Sequence, residues 1–188
     1  MVLVVIVLFL ITYGKDHNMK YLKMTLLLFI AINANTYAQD TAKIRKDAQA
    51  LVQATKMSDF KTVVKFTYPP VVKSLGGPDK MIEVLNKSLA EMKNQGASII
   101  GGDIGRPGKI LHAGTKLYSV VPEKVIIESN GTRLYANSSL LAISLNNGDT
   151  WYFIDAGNMS DIQVKQAFPE IYGKLTIPKR SDPVVMGQ

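Results

Sequence analysis

Apolar positions along this chain change period partway through. Between Thr41 and about Met57, residues Ile44, Ala48, Leu51, Val52 and Thr55 recur at helical spacing, while Lys43, Arg45, Lys46, Asp47 and Gln49 fill the opposite face. That pattern predicts an amphipathic helix capped by Asp40 or Thr41. Ser58-Asp59 reads as a second cap before a short helix, Phe60–Phe66, which Tyr68-Pro69-Pro70 should stop because proline has no N–H to donate. Gly76-Gly77-Pro78 restarts the chain with proline at a first helical position. From there Met81, Ile82, Leu85, Leu89 and Met92 form the apolar stripe of a third, longer helix, ended by Gln95-Gly96.

After Gly96 the period falls to about two and each apolar run is bounded by Gly, Asn or Pro, which predicts strands. They fall at Ala97–Ile104, Lys109–Ala113, Lys116–Val121, Lys124–Glu128, Thr132–Ile143 and Thr150–Asp155. Asn130-Gly131 and Asn147-Gly148 are hairpin-turn signals, since both residues of the tightest turn need positive φ. Gly101-Gly102 and Gly105-Arg-Pro-Gly108 mark bends or bulges. Asp161–Phe168 predicts a short last helix and Ile171–Ile177 an extended closing segment. Pro178 to Gln188 has no period and reads as a flexible tail. The fold class is therefore α+β, with three N-terminal helices packed against a strongly curved antiparallel sheet in a single domain over residues 39–177.

The first 38 residues are set apart. Lys20 and Lys23, the apolar core Met24–Ala34 and the small-residue exit Asn35-Thr-Tyr-Ala38 have the layout of a secretory signal peptide cleaved after Ala38. Met1–Tyr13 is a separate apolar run with no basic residue before it, so Met19 is the expected start. Neither run reaches the roughly 20 residues a membrane span needs. The expected location is exported, periplasmic or secreted in a bacterium, with membrane contact only through the leader before cleavage.

Removing the leader lowers the formal charge from +7 to +5, and the remaining basic residues are scattered, so a nucleic-acid partner is not expected. Cysteine is absent, which excludes disulfides, thiolate metal sites and a cysteine nucleophile. His112 is the only histidine after the leader, so a site with two or more histidines is excluded, and neither a metal nor a cofactor is expected. Ser138, Ser139 and Ser144 lack the G-x-S-x-G setting of a serine nucleophile.

Two resemblances follow from particular residues. Ser144-Leu-Asn146-Asn-Gly148-Asp-Thr150-Trp151 resembles the Asp-box of sialidase-type β-propellers, with Asn146 where that family has Asp. There the motif is a structural hairpin repeated in every blade, whereas here it occurs once, after three helices. The order of helices followed by a curved sheet, with Trp151-Tyr-Phe-Ile-Asp155 as its last main strand, resembles the nuclear transport factor 2-like (SnoaL-like) superfamily over roughly Thr41–Ile171. That resemblance implies a cone-shaped roll but transfers no function.

In enzymes of that superfamily a carboxylate in the cone, partnered by Tyr or His, moves a proton. The resemblance makes Asp103 and Asp155 candidate bases, and Tyr118, Tyr152 and His112 candidate donors. Trp151, Tyr152 and Asp155 are also candidate ligand contacts at the end of the last strand. No motif fixes a catalytic residue. The sequence is therefore read as a non-catalytic domain binding a small molecule or protein, the alternative being a cofactor-independent isomerase or dehydratase. The architecture also allows a homodimer through the sheet.

Overall fold

The computed structural model describes residues 41–187. The leader and signal-peptide reading of residues 1–38 lies outside them. Four helices come first: α1 (41–56), α2 (Phe60–Phe66), α3 (Pro69–Ser74) and α4 (Pro78–Asn94). The sheet is formed by β1 (Ala97–Ile104), β2 (Leu111–Ala113), β3 (Lys116–Ser129), β4 (Thr132–Ser144) and β5 (Tyr152–Asp155). Helix α5 (Asp161–Ala167) and a two-residue strand, β6 (Val184–Val185), complete it. The domain is mixed helix and strand, its sheet curling into a strongly curved antiparallel half-barrel.

Local chemistry accounts for most boundaries. Asp59 caps α2 by accepting from the Thr62 N–H. Ser160 and Gln163 form a capping box at α5. Asn130 and Gly131 both have positive φ, and this two-residue turn joins Ser129 to its partner Thr132.

Two proline readings are corrected. Pro69-Pro70 stops α2 but also opens α3, because the first helical positions need no intrahelical N–H. Pro122 does not divide two strands; β3 runs through it, with Pro122 opposite Ser139. β1 pairs with β3 as far as Glu123 and β2 from Tyr118 onward, so Pro122 faces the gap between them. There Gly105 and Gly108 donate to the carbonyls of Pro122 and Val120, both at 2.8 Å, and no ladder bond needs the missing N–H.

The main strand order is β1-β3-β4-β5, with β2 also on β3 and β6 on β4. A register shift between Ile99 and Gly101 bends β1. Alternation then divides the sheet into two faces. On the concave one, Leu117, Val121, Leu140, Ala142 and Phe153 pack with Trp151 against Ile44, Ala48 and Val52 of α1. On the convex one, Tyr118, Leu141 and Ile143 pack against Phe168 and Ile171. Each such fully buried large side chain contributes about 1.5–3 kcal/mol by leaving water.

The chain beyond α5 is held to the sheet. Residues 171–175 form turns rather than an extended segment. Glu170 accepts from the buried Tyr118 hydroxyl and from Lys116 Nζ at 3.1 Å. The stretch from Pro178, which lacks periodicity, runs antiparallel along the edge of β4: the Ser181 N–H donates to Asn137 O at 2.9 Å, and Val184–Val185 pairs with Leu134 and Tyr135. No helix among the described residues is long and apolar enough to cross a membrane.

Candidate functional site

The long helix α4 does not seal the concave face. Met81 is buried, but the other stripe residues, Ile82, Leu85, Leu89 and Met92, stay partly accessible. Tight packing of the concave face falls to α1 instead. Between helices and sheet lies a cavity of about 780 Å³, within the usual range for small-molecule sites. Its wall is mostly apolar, including Leu51, Val63, Met81, Met92, Val125 and Phe153.

Charge gathers at one end. Glu123 on β3 lies directly opposite Ser138 on β4, and Leu140, two residues along β4, lies opposite Asp155 on β5. Because side chains two apart share a face, Glu123, Ser138 and Asp155 all belong to the concave side. Glu123 and Asp155 line the cavity, together with Arg180 from the segment that runs along β4.

Asp155 is fully engaged. It accepts from Arg180 Nη2 at 2.7 Å, Ser138 Oγ at 3.0 Å, the Gly157 N–H at 3.1 Å and Asn158 Nδ2 at 3.4 Å. Gly157 is needed for this closeness, since a Cβ there would run into Ser138 Oγ. Glu123 is the opposite case. It makes no hydrogen bond or ion pair among the described residues, and burial followed by repulsion from Asp155 pushes its carboxyl up to about 7, while Arg180 pulls it down.

The residues singled out from the sequence are dispersed. Asp155 lines the cavity. Trp151 is 0 % exposed in the concave core, its indole N–H without a hydrogen-bond partner among the described residues, and does not line the cavity. Tyr118 is equally buried on the convex side. Tyr152 lines a shallower groove against α2 and α3. His112 is exposed on β2, and Asp103 is exposed on β1 opposite Lys124. The proton-transfer pairing of Asp103 or Asp155 with Tyr118, Tyr152 or His112 is therefore not assembled.

The Asp-box-like loop is a structural device. Gly148 N–H donates to Ser144 Oγ at 2.9 Å and Thr150 N–H to Asn146 Oδ1 at 3.0 Å. This network ties Ser144 to Thr150, and β5 begins at Tyr152 rather than Thr150. Asn147 and Gly148 carry positive φ inside it.

Glu123 and Arg180 escaped the sequence reading. A signal for Glu123 existed: had β3 been read through Pro122, its parity with Leu117 and Val121 would have placed it on the core face. Arg180 lies in an aperiodic stretch with no such signal. Among the described residues no group of three or more His, Cys, Asp or Glu side chains could hold a metal ion. No protein-family model matches the sequence, and no curated protein or solved structure matches it significantly.

Proposed function

We propose that this chain is an exported, non-catalytic domain that holds a small, mostly apolar molecule against the concave face of its sheet. The observation that carries the reading is the cavity itself: about 780 Å³ of apolar-walled space closing on a few convergent polar groups. The curved antiparallel sheet with helices before it supports, at the level of architecture, kinship with the nuclear transport factor 2-like superfamily. Export rests on the leader's composition. Native mass spectrometry of gently purified protein, with a thermal-shift screen of amphiphiles, tests the binding. A protein that retains no small molecule and is stabilised by none of the amphiphiles refutes it.

One observation favours a second reading, proton transfer. Glu123 is a carboxylate free of partners, facing a cavity, with a pKa of about 7 that suits a general base at neutral pH. Tyr68 also lines the cavity, but its hydroxyl is engaged with Lys116 near Tyr118, so it is not paired with Glu123 as a donor. Deuterium incorporation into weakly acidic ketones, abolished in E123Q, would establish that activity; exchange unchanged by the substitution would remove it.

A further inference from the structure

The two carboxylates at the charged end of the cavity are not equivalent, and the difference selects a ligand class. Asp155 is committed to Arg180, so an anionic ligand reaching for that guanidinium has to displace a carboxylate held by four donors. Both partners of that ion pair are exposed, so the pair alone is worth little, and what an anion has to replace is the full set of four donors. Glu123 lines the same cavity with no hydrogen bond or ion pair among the described residues. Among the aromatic residues lining the wall, Phe153 belongs to the same face as Glu123, and aromatic faces attract cations, whereas Tyr68 and Phe168 pack with Tyr118.

Resting on the small-molecule reading above, we propose that the cavity takes a monocationic amphiphile, its ammonium group set against Glu123 and its hydrocarbon portion against the apolar wall. The described charged or titratable residues lining the cavity are Glu123 on β3, Asp155 on β5, Arg180 on the C-terminal segment and Tyr68 between α2 and α3. Helices α1 and α4 and strands β1 and β4 present none there. With Asp155 and Arg180 neutralising one another, Glu123 holds the one uncompensated charge, and a cation supplies what the fold leaves out. Below neutral pH the Glu123 carboxyl takes up a proton and the attraction fades.

The test uses three probes of equal chain length, decyltrimethylammonium, decanol and decanoate, titrated calorimetrically into the whole domain at pH 8 and pH 5.5. The quaternary ammonium keeps its charge at both values, so any pH dependence of its binding belongs to the protein. At pH 8 it should bind at least tenfold more tightly than decanoate, an advantage that shrinks at pH 5.5 and is lost in E123Q while decanol affinity stays within about twofold. Decanoate binding as well as the cation, or E123Q keeping the preference, overturns the ligand class and leaves the cavity reading standing. Failure of all three probes, decanol included, overturns both. The pH comparison on the unsubstituted protein decides the matter even where E123Q folds poorly.

Discussion

Replacing Glu123 with glutamine should make the protein more stable at alkaline pH, although it removes a charge. The glutamate carboxyl ordinarily titrates at 4.5 and in the folded protein is pushed up to about 7, by burial first and by Asp155 second. Below pH 4.5 folded and unfolded chains both hold the proton, and the group adds no pH dependence. Between 4.5 and 7 the unfolded chain releases it while the folded chain keeps it, so stability falls by up to about 1.4 kcal/mol for each pH unit. Above 7 both forms are ionised and the loss is complete.

The ceiling on that loss is about 3 kcal/mol. Glu123 is only partly buried and faces a cavity, so solvent screening reduces the expected figure to about 2 kcal/mol. For a domain of this size that corresponds to roughly 4–8 °C in melting temperature. Urea unfolding of the parent and E123Q at pH 5 and pH 8 reads the difference, in which titrating groups that do not interact with Glu123 cancel and its coupling to Asp155 and Arg180 is included. Near-equal stability at pH 5 and a variant more stable by about 2 kcal/mol at pH 8 is the expected result. Parallel pH profiles, or a variant weaker at pH 8, would mean that Arg180 satisfies the carboxylate and that the electrostatic reasoning fails.

Other consequences can be measured directly. The Tyr118 hydroxyl, ahead of Lys116, draws the Glu170 carboxyl down to about 2, so this pair's stabilisation is present above the ordinary 4.5 and is lost as pH falls toward 2; Y118F should cost about 1.5–3 kcal/mol at pH 7 in urea unfolding and flatten the acid limb. G157A forces a Cβ against Ser138 Oγ and should cost about 1–3 kcal/mol in the same assay, with no loss if the Asp155 loop can shift. F153A removes a ring that is 2 % exposed in the concave core and should destabilise by about 3–5 kcal/mol. The chain has one tryptophan, fully buried, so native emission should be blue-shifted and resistant to iodide; ready quenching would contradict the packing of Trp151.

The elements legible in the sequence were those set by local rules. Helix α2, the onset of α4 at Pro78, strand β1 and the Asn130-Gly131 turn depend on caps, proline position and φ preferences that act over a few residues. Alternation along Trp151-Tyr-Phe-Ile-Asp155 likewise suffices to put Trp151, Phe153 and Asp155 on one face. What the sequence withheld was long-range. Pro122 is tolerated in β3 because β1 has ended and β2 has not begun, a fact about neighbouring strands. The α4 stripe reads as core, yet nothing local says that α1 packs onto the sheet and leaves α4 over a cavity. Arg180 reaches Asp155 from 25 residues downstream, and no periodicity announces a side chain used once.

The docking of the segment after Ile177 along the edge of β4 also bears on motion. Two residue pairs of β6, the ion pairs Arg180–Asp155 and Lys179–Asp161, and a few further hydrogen bonds attach it, and most of its side chains are exposed. Such attachments open at lower free energy than a thirteen-residue strand such as β4. Amide protons of Arg180 and Ser181 should therefore exchange with solvent well before those of Leu140 to Ile143. Each opening takes the guanidinium from Asp155 and leaves two carboxylates at one end of the cavity. Local fraying of the strap thus changes the charge of the site, and a ligand that prefers one charge state would bias how often the strap is closed.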